Sequence, residues 1–118
     1  MEGEDSPGLA VLLELNGEVF HMDSGYWTRI EARRVEPSSE IPHGIRYSLT
    51  LHDHHNQRVL GYDNAHAVQG SRRRFEGRRV AWDHRHEQDL VEPYAFDSAA
   101  RLLEDFWADV DRLLPQGK

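Results

Sequence analysis

A chain of 118 residues, 38% hydrophobic and 30% charged, holds enough apolar material for one compact domain and too little length for two ordinary ones. It has no Cys, which excludes disulfide frameworks, zinc ribbons and thiol nucleophiles and fits a reducing cytoplasm. A net charge of −7 argues against a general nucleic-acid coat protein. The apolar run at 9–13 is too short to span a membrane and follows acidic residues, so a soluble cytoplasmic protein without membrane contact is expected.

Residues 1–8 are small and acidic and are expected to form a flexible segment ahead of a single domain over 9–118. Residues 10–15 and 18–23, with Asn16-Gly17 between them, are predicted to be two strands of a hairpin. Tyr26, Thr28, Ile30 and Ala32 alternate with Trp27, Arg29, Glu31 and Arg33, a period of two that predicts a strand with one face inward. A loop with two Pro follows at 36–44. Ile45, Tyr47, Leu49 and Leu51 then alternate without fault, HDHHNQ turns the chain, and 58–62 returns as the hairpin partner, ending on Asp63-Asn64. Beyond a polar Gly/Ser/Arg loop, further strands are predicted at 78–84 and about 91–96. Ala99, Leu102, Leu103, Phe106, Val110, Leu113 and Leu114 recur at helical spacing behind a cap at Asp97 or Ser98, with Pro115 and Gly117 closing the helix. The expected fold is α+β, an antiparallel β-sheet of about six or seven strands packed by one C-terminal α-helix.

Charge is distributed unevenly. Residues 58–86 carry seven Arg against three acidic residues, a net +4 that leaves −11 on the remainder. Thirteen of the fourteen cationic residues are Arg, which a GC-rich genome would produce and which is also the better phosphate clamp. Eight His are present. His52, His54 and His55 lie in or beside a turn and read as solvated; His21 and His43 each stand alone and are given no role.

The informative constellation is Tyr62-Asp63-Asn64-Ala65-His66, then Arg72-Arg73-Arg74, then Trp82-Asp83-His84-Arg85-His86. On a strand, His84 and His86 would project from one face about 7 Å apart, with Asp83 and Arg85 on the other. An imidazole pair beside a carboxylate and several guanidinium groups suits phosphodiester cleavage without a metal. One His takes the 2′-OH proton, a second protonates the leaving oxygen, and Arg neutralises charge at phosphorus. Two other readings stay open. The DHRHEQD segment could be a polar bend with its charges paired locally, and His84 and His86 with Asp63 or His66 could form a His/carboxylate metal site. The Arg runs fit phosphate binding or a solvated loop guarding a sheet edge. Trp27, Trp82 and Tyr62 suit base stacking or the core.

In order, DSGYWTRIEARRV, PHGIRYSLTLHD, RVLGYDNAHAV, RRVAWDHRH and EPYAFDSAARLLEDFWADVDRLL resemble the TumE family of toxin–antitoxin toxins over roughly residues 25–114. The resemblance implies the toxin of a type II system, encoded beside a DNA-binding antitoxin of helix-turn-helix or winged-helix type. It carries over Asp63, Asn64, His66, Asp83, His84 and His86 as candidates. Analogy with other small toxins of mixed build makes RNA the expected substrate and translation the target. On that reading His84 and His66 are general base and acid, His86 orients or shares the proton, and Asp63 or Asp83 holds an imidazole tautomer. Tyr62, Asn64, Arg73, Arg74 and Arg85 would bind substrate, with no cofactor. The alternative is a non-catalytic module whose acidic helix and Arg loop dock a DNA-binding regulator; a homodimer is left open in either case.

Overall fold

The computed structural model describes residues 6–22, 24–64 and 83–115. Burial in β3 (Ile45–His52) follows the alternation seen in the sequence: Ile45, Tyr47, Leu49 and Leu51 are buried, and the residues between them lie half-buried on the opposite face. Around this strand, β1 (Glu18–His21), β2 (Trp27–Arg34), β4 (Arg58–Asp63), β5 (His84–Glu87) and β6 (Leu90–Pro93) form a six-stranded antiparallel meander in sequence order. Two helices, α1 (Leu9–Glu14) and α2 (Ala99–Leu113), contribute to the same buried core as the sheet. The fold is α+β, with a six-stranded antiparallel sheet and a C-terminal helix as expected, plus one short helix that was not.

That short helix replaces the first predicted strand. Residues 10–15 do not alternate. Leu9 and Leu12 are one turn apart and both buried, whereas Val11, which a strand through this run would place opposite Leu12, is 55% exposed in the helix. Asn16-Gly17 is consequently a helix-to-strand connection rather than a hairpin turn. Gly17 takes φ 88, where a side chain would be strained, and its N–H donates to Ile30 O at 2.7 Å. Asn16 Oδ1 accepts from Ala32 N–H at 2.9 Å, extending the ladder of β2 past the end of β1. Residues 6–8, expected to be flexible, are tied to α2: Ser6 Oγ accepts from Ala99 N–H, Pro7 O accepts from Ala100 N–H, and a Cβ on Gly8 would stand 2.7 Å from the Ala100 backbone.

Helix α2 starts where Ser98 Oγ accepts from Arg101 N–H, which selects Ser98 over Asp97 as the cap. Its buried stripe of Ala99, Leu102, Phe106 and Val110 lies on one face of the sheet, where Phe106 meets Tyr62 and Trp107 meets Phe20 edge-on. At the far side of the sheet the predicted boundaries shift. The turn falls on Gln88-Asp89, with Gln88 at φ 55, so the HRHE segment is strand rather than bend, and the last strand ends at Pro93 rather than 96. The predicted strand at 78–84 lies outside the described residues up to 82.

Thr28 Oγ1 is fully buried on the helix-covered face with no hydrogen-bond partner among the described residues. A methyl group in its place removes an unpaid desolvation at nearly constant shape. Thr28→Val is therefore expected to raise stability by about 1 kcal/mol, measured by urea unfolding with an unchanged m-value.

Candidate active site

The face of the sheet away from α2 collects polar side chains from several strands. Pairing sets Gly61 opposite His86 and Asp63 opposite His84, so both imidazoles and the Asp63 carboxylate project from this open face, as the i, i+2 spacing requires. The rings of His84 and His86 are 6.3 Å apart. His86 Nε2 lies 3.4 Å from Asp63 Oδ2, an arrangement that favours the Nε2–H tautomer and leaves the lone pair on Nδ1. Burial holds the His86 imidazole below its ordinary range; the Asp63 charge opposes this and the Arg58 charge reinforces it. Neutral at physiological pH, His86 can accept a proton. Accessibility separates the pair: His84 is 2% exposed, and the His86 side chain is 17% exposed. The sequence reading made His84 a proton carrier and His86 its support; of the two side chains, that of His86 is the more exposed.

Asp83 points to the other face and serves a different imidazole. Its Oδ2 accepts from Tyr47 OH at 2.8 Å and from His43 Nε2–H at 2.9 Å. His43 Nδ1 accepts from Ile45 N–H at 3.2 Å, and its ring stacks on Phe96 with centroids 3.9 Å apart. Both nitrogens of His43 are thereby used, so this cluster ties the 36–44 loop to the start of β5 and its imidazole has no free acceptor. Burial, and next the Asp83 charge, push the Tyr47 phenol far above its usual range, which keeps it a donor.

Arg85 shares this face and spans three carboxylates: Nε donates to Asp109 Oδ2 at 2.8 Å, Nη1 to Glu92 at 2.9 Å and Nη2 to Glu87 at 2.7 Å. Tyr62, 2% exposed, donates its OH to the same Asp109 oxygen at 2.6 Å. Desolvation would raise the Asp109 carboxyl, but hydrogen bonds from Arg85, Tyr62 and Arg112 hold it below its usual range. Asn64 is fully buried, accepting from Tyr47 N–H at 3.0 Å and donating to Ile45 O at 2.8 Å, so its amide continues the β3 ladder beyond β4. Tyr62, Asn64 and Arg85, expected from sequence to contact substrate, are each hydrogen-bonded within the fold.

Of the candidate residues, the structure therefore brings Asp63, His84 and His86 together and places Asp83 in a second cluster with His43. His66, Arg73 and Arg74 lie outside the described residues. Among the described residues no group of three His, Asp or Glu is placed to hold a metal ion, and His66 of the metal reading is not among them. Sequence inspection passed over His43 because its partner is forty residues away, with no local pattern to connect them. It also passed over Arg58, although Gly61 inside a strand is a signal of close approach by another group.

A family model described as Toxin TumE matches residues 11–114, reaching back beyond residue 25 to take in β1 and most of α1. No curated protein and no solved structure matches the chain. Toxins of this kind act with an antitoxin partner, and no helix among the described residues is long and apolar enough to cross a membrane. The chain belongs to the TumE toxin family.

Proposed function

We propose that this toxin belongs to a type II pair and inhibits translation by cleaving RNA, with His86 as the proton carrier that contacts substrate. The observation that carries the reading is the His86–Asp63 pair on the open sheet face, an accessible neutral imidazole whose tautomer is held by a carboxylate. In the reaction His86 removes the proton from a 2′-OH, and the resulting oxyanion attacks the adjacent phosphorus. The 5′-oxygen leaves and takes a proton from a second carrier, giving a 2′,3′-cyclic phosphate and a 5′-hydroxyl end. His66 keeps the role of second carrier, and Arg73 and Arg74 that of phosphate ligands, on sequence grounds alone. His84, enclosed on the same face with its ring 6.3 Å away, supports His86. The partner is a DNA-binding antitoxin.

The pH profile of kcat/KM tests the assignment. The limb that reports the base is expected at a midpoint below the ordinary histidine value of about 6.5, because burial and Arg58 disfavour the imidazolium. Asp63→Asn removes the one influence that raises this value, so its midpoint moves to lower pH. Arg58→Gln removes one that lowers it, so its midpoint moves to higher pH. Shifts of the opposite sense, or a limb unmoved by both changes, would take the role of base away from His86.

A further inference from the structure

Gly61 leaves the middle of the open face without a side chain, and Arg58 fills the space. A Cβ built on Gly61 would stand 3.3 Å from Arg58 Nη1 and 3.4 Å from its Cδ, so the guanidinium end lies down over the strand. The register puts His86 and Thr50 on either side of Gly61, and His52 opposite Arg58 itself. His52 Nε2 is 3.0 Å from Thr50 Oγ1, and its ring stacks on Trp27 with centroids 4.0 Å apart and planes 10° from parallel. The register neighbours of Arg58 and Gly61 on this face are thus imidazoles and a hydroxyl, while Asp53 and Asp89 line a shallow cavity with Arg58 at the edge of the sheet. Asp53, in the adjoining turn, is occupied by the N–H groups of His55 and Gln57, and Asp63 is turned to His86. After burial, the Arg58 charge is the next influence that lowers the His52 imidazole, and it lowers His86 as well.

Of these three groups Arg58 carries the positive charge, since both imidazoles are held neutral at physiological pH, and an anion over Gly61 would meet its guanidinium. The register also places Arg29, Arg33 and Arg46 on this face, against Glu31 and Asp63, in a chain whose overall charge is −7. We infer that Arg58, laid across Gly61 between His52 and His86, is a phosphate subsite for single-stranded RNA, with the Trp27–His52 stack receiving a base of the same strand. This rests on the RNA reading above and adds where the strand lies. Counting strand spacings and residues, His52 is about 12 Å from His86, so one strand can cover both. An aromatic pair suits an unstacked base and offers nothing to a closed duplex, whose bases are already stacked.

The test is fluorescence anisotropy with a short labelled 2′-O-methyl oligonucleotide, which lacks the attacking hydroxyl and reports binding without cleavage. Arg58→Gln keeps the aliphatic stem over Gly61 and removes the charge. It is expected to weaken binding on the order of tenfold and to reduce the slope of log affinity against log salt by about 0.7, the value for one phosphate of a single strand. Arg101→Ala on α2 should change neither. Unlabelled single-stranded RNA should compete and duplex RNA should not. Unchanged binding by a folded Arg58→Gln, or an equal loss in Arg101→Ala, overturns the subsite; equal competition by duplex overturns the single-strand assignment. If binding depends on Arg58 but unmodified RNA is never cut, the subsite stands and the cleavage reading falls. If cutting depends on His86 while Arg58→Gln binds normally, the subsite alone falls.

Discussion

His86→Ala is expected to relieve growth arrest on induction and to lower RNA cleavage by between about 10² and 10⁴ fold, the range for loss of a positioned proton carrier. Its side chain is part-exposed on a face that α2 does not cover, so the melting temperature should change little. Two companions separate chemistry from packing. Asp63→Asn keeps the size of the side chain beside His86 but loses the charge 3.4 Å from Nε2, so a smaller loss of rate is expected together with the acid shift of the pH profile. His54→Ala, on the exposed turn, should remain fully toxic. Arrest by a folded His86→Ala variant equal to that of wild type would favour the non-catalytic reading, in which the protein works by docking.

Arg85→Ala is expected to be the most destabilising single change among the charged residues, at about 2 to 3 kcal/mol, or roughly 10 °C in melting temperature. The guanidinium bonds Asp109, Glu87 and Glu92 together, and its removal leaves the part-buried Asp109 carboxylate supported by the Tyr62 hydroxyl and the exposed Arg112 alone. The figure is set below that for a fully buried pair because these side chains retain some solvent, 16% for Arg85 and 17% for Asp109. Replacing both partners by apolar residues, as in Arg85→Met with Asp109→Leu, should recover much of the loss. The pH dependence has a definite sign. Asp109 and Glu87 are held below their ordinary ranges in the folded state, so their contribution is complete above the unfolded carboxylate range near pH 4 and disappears as pH falls through the folded values. Arg85→Ala should flatten that acid limb. RNA affinity of the folded variant should be unchanged, since Arg85 faces α2; a selective loss of RNA binding at full stability would restore it to the substrate site.

How much could be read from sequence depended on whether a pattern was local. The alternation of residues 45–52 and the helical spacing from Ala99 to Val110 each describe one element against one core, and both elements appear where expected. The run at 9–13 is apolar on nearly every side, so periodicity could not choose between strand and helix, and Asn16-Gly17 serves the end of a helix as well as it serves a hairpin. Among the site residues, His84 and His86 were legible because they share a strand, and Asp63 because it ends the neighbouring one. Burial was not legible. Nothing in DHRH says that the first His would be enclosed and the second accessible, or that Arg85 would be claimed by three carboxylates from β5, β6 and α2. Arg58 escaped notice for a related reason: it was one of many Arg until Gly61 was seen to lie beneath it.

Purified protein incubated with a defined RNA in the presence of a chelator, followed by chemical identification of the new ends, tests the central proposal most directly. Cleavage that leaves 2′,3′-cyclic phosphate and 5′-hydroxyl ends, and that is lost in His86→Ala, is the expected result. Intact RNA from a preparation that arrests growth, or 5′-phosphate ends that appear only when a divalent metal is supplied, would contradict it.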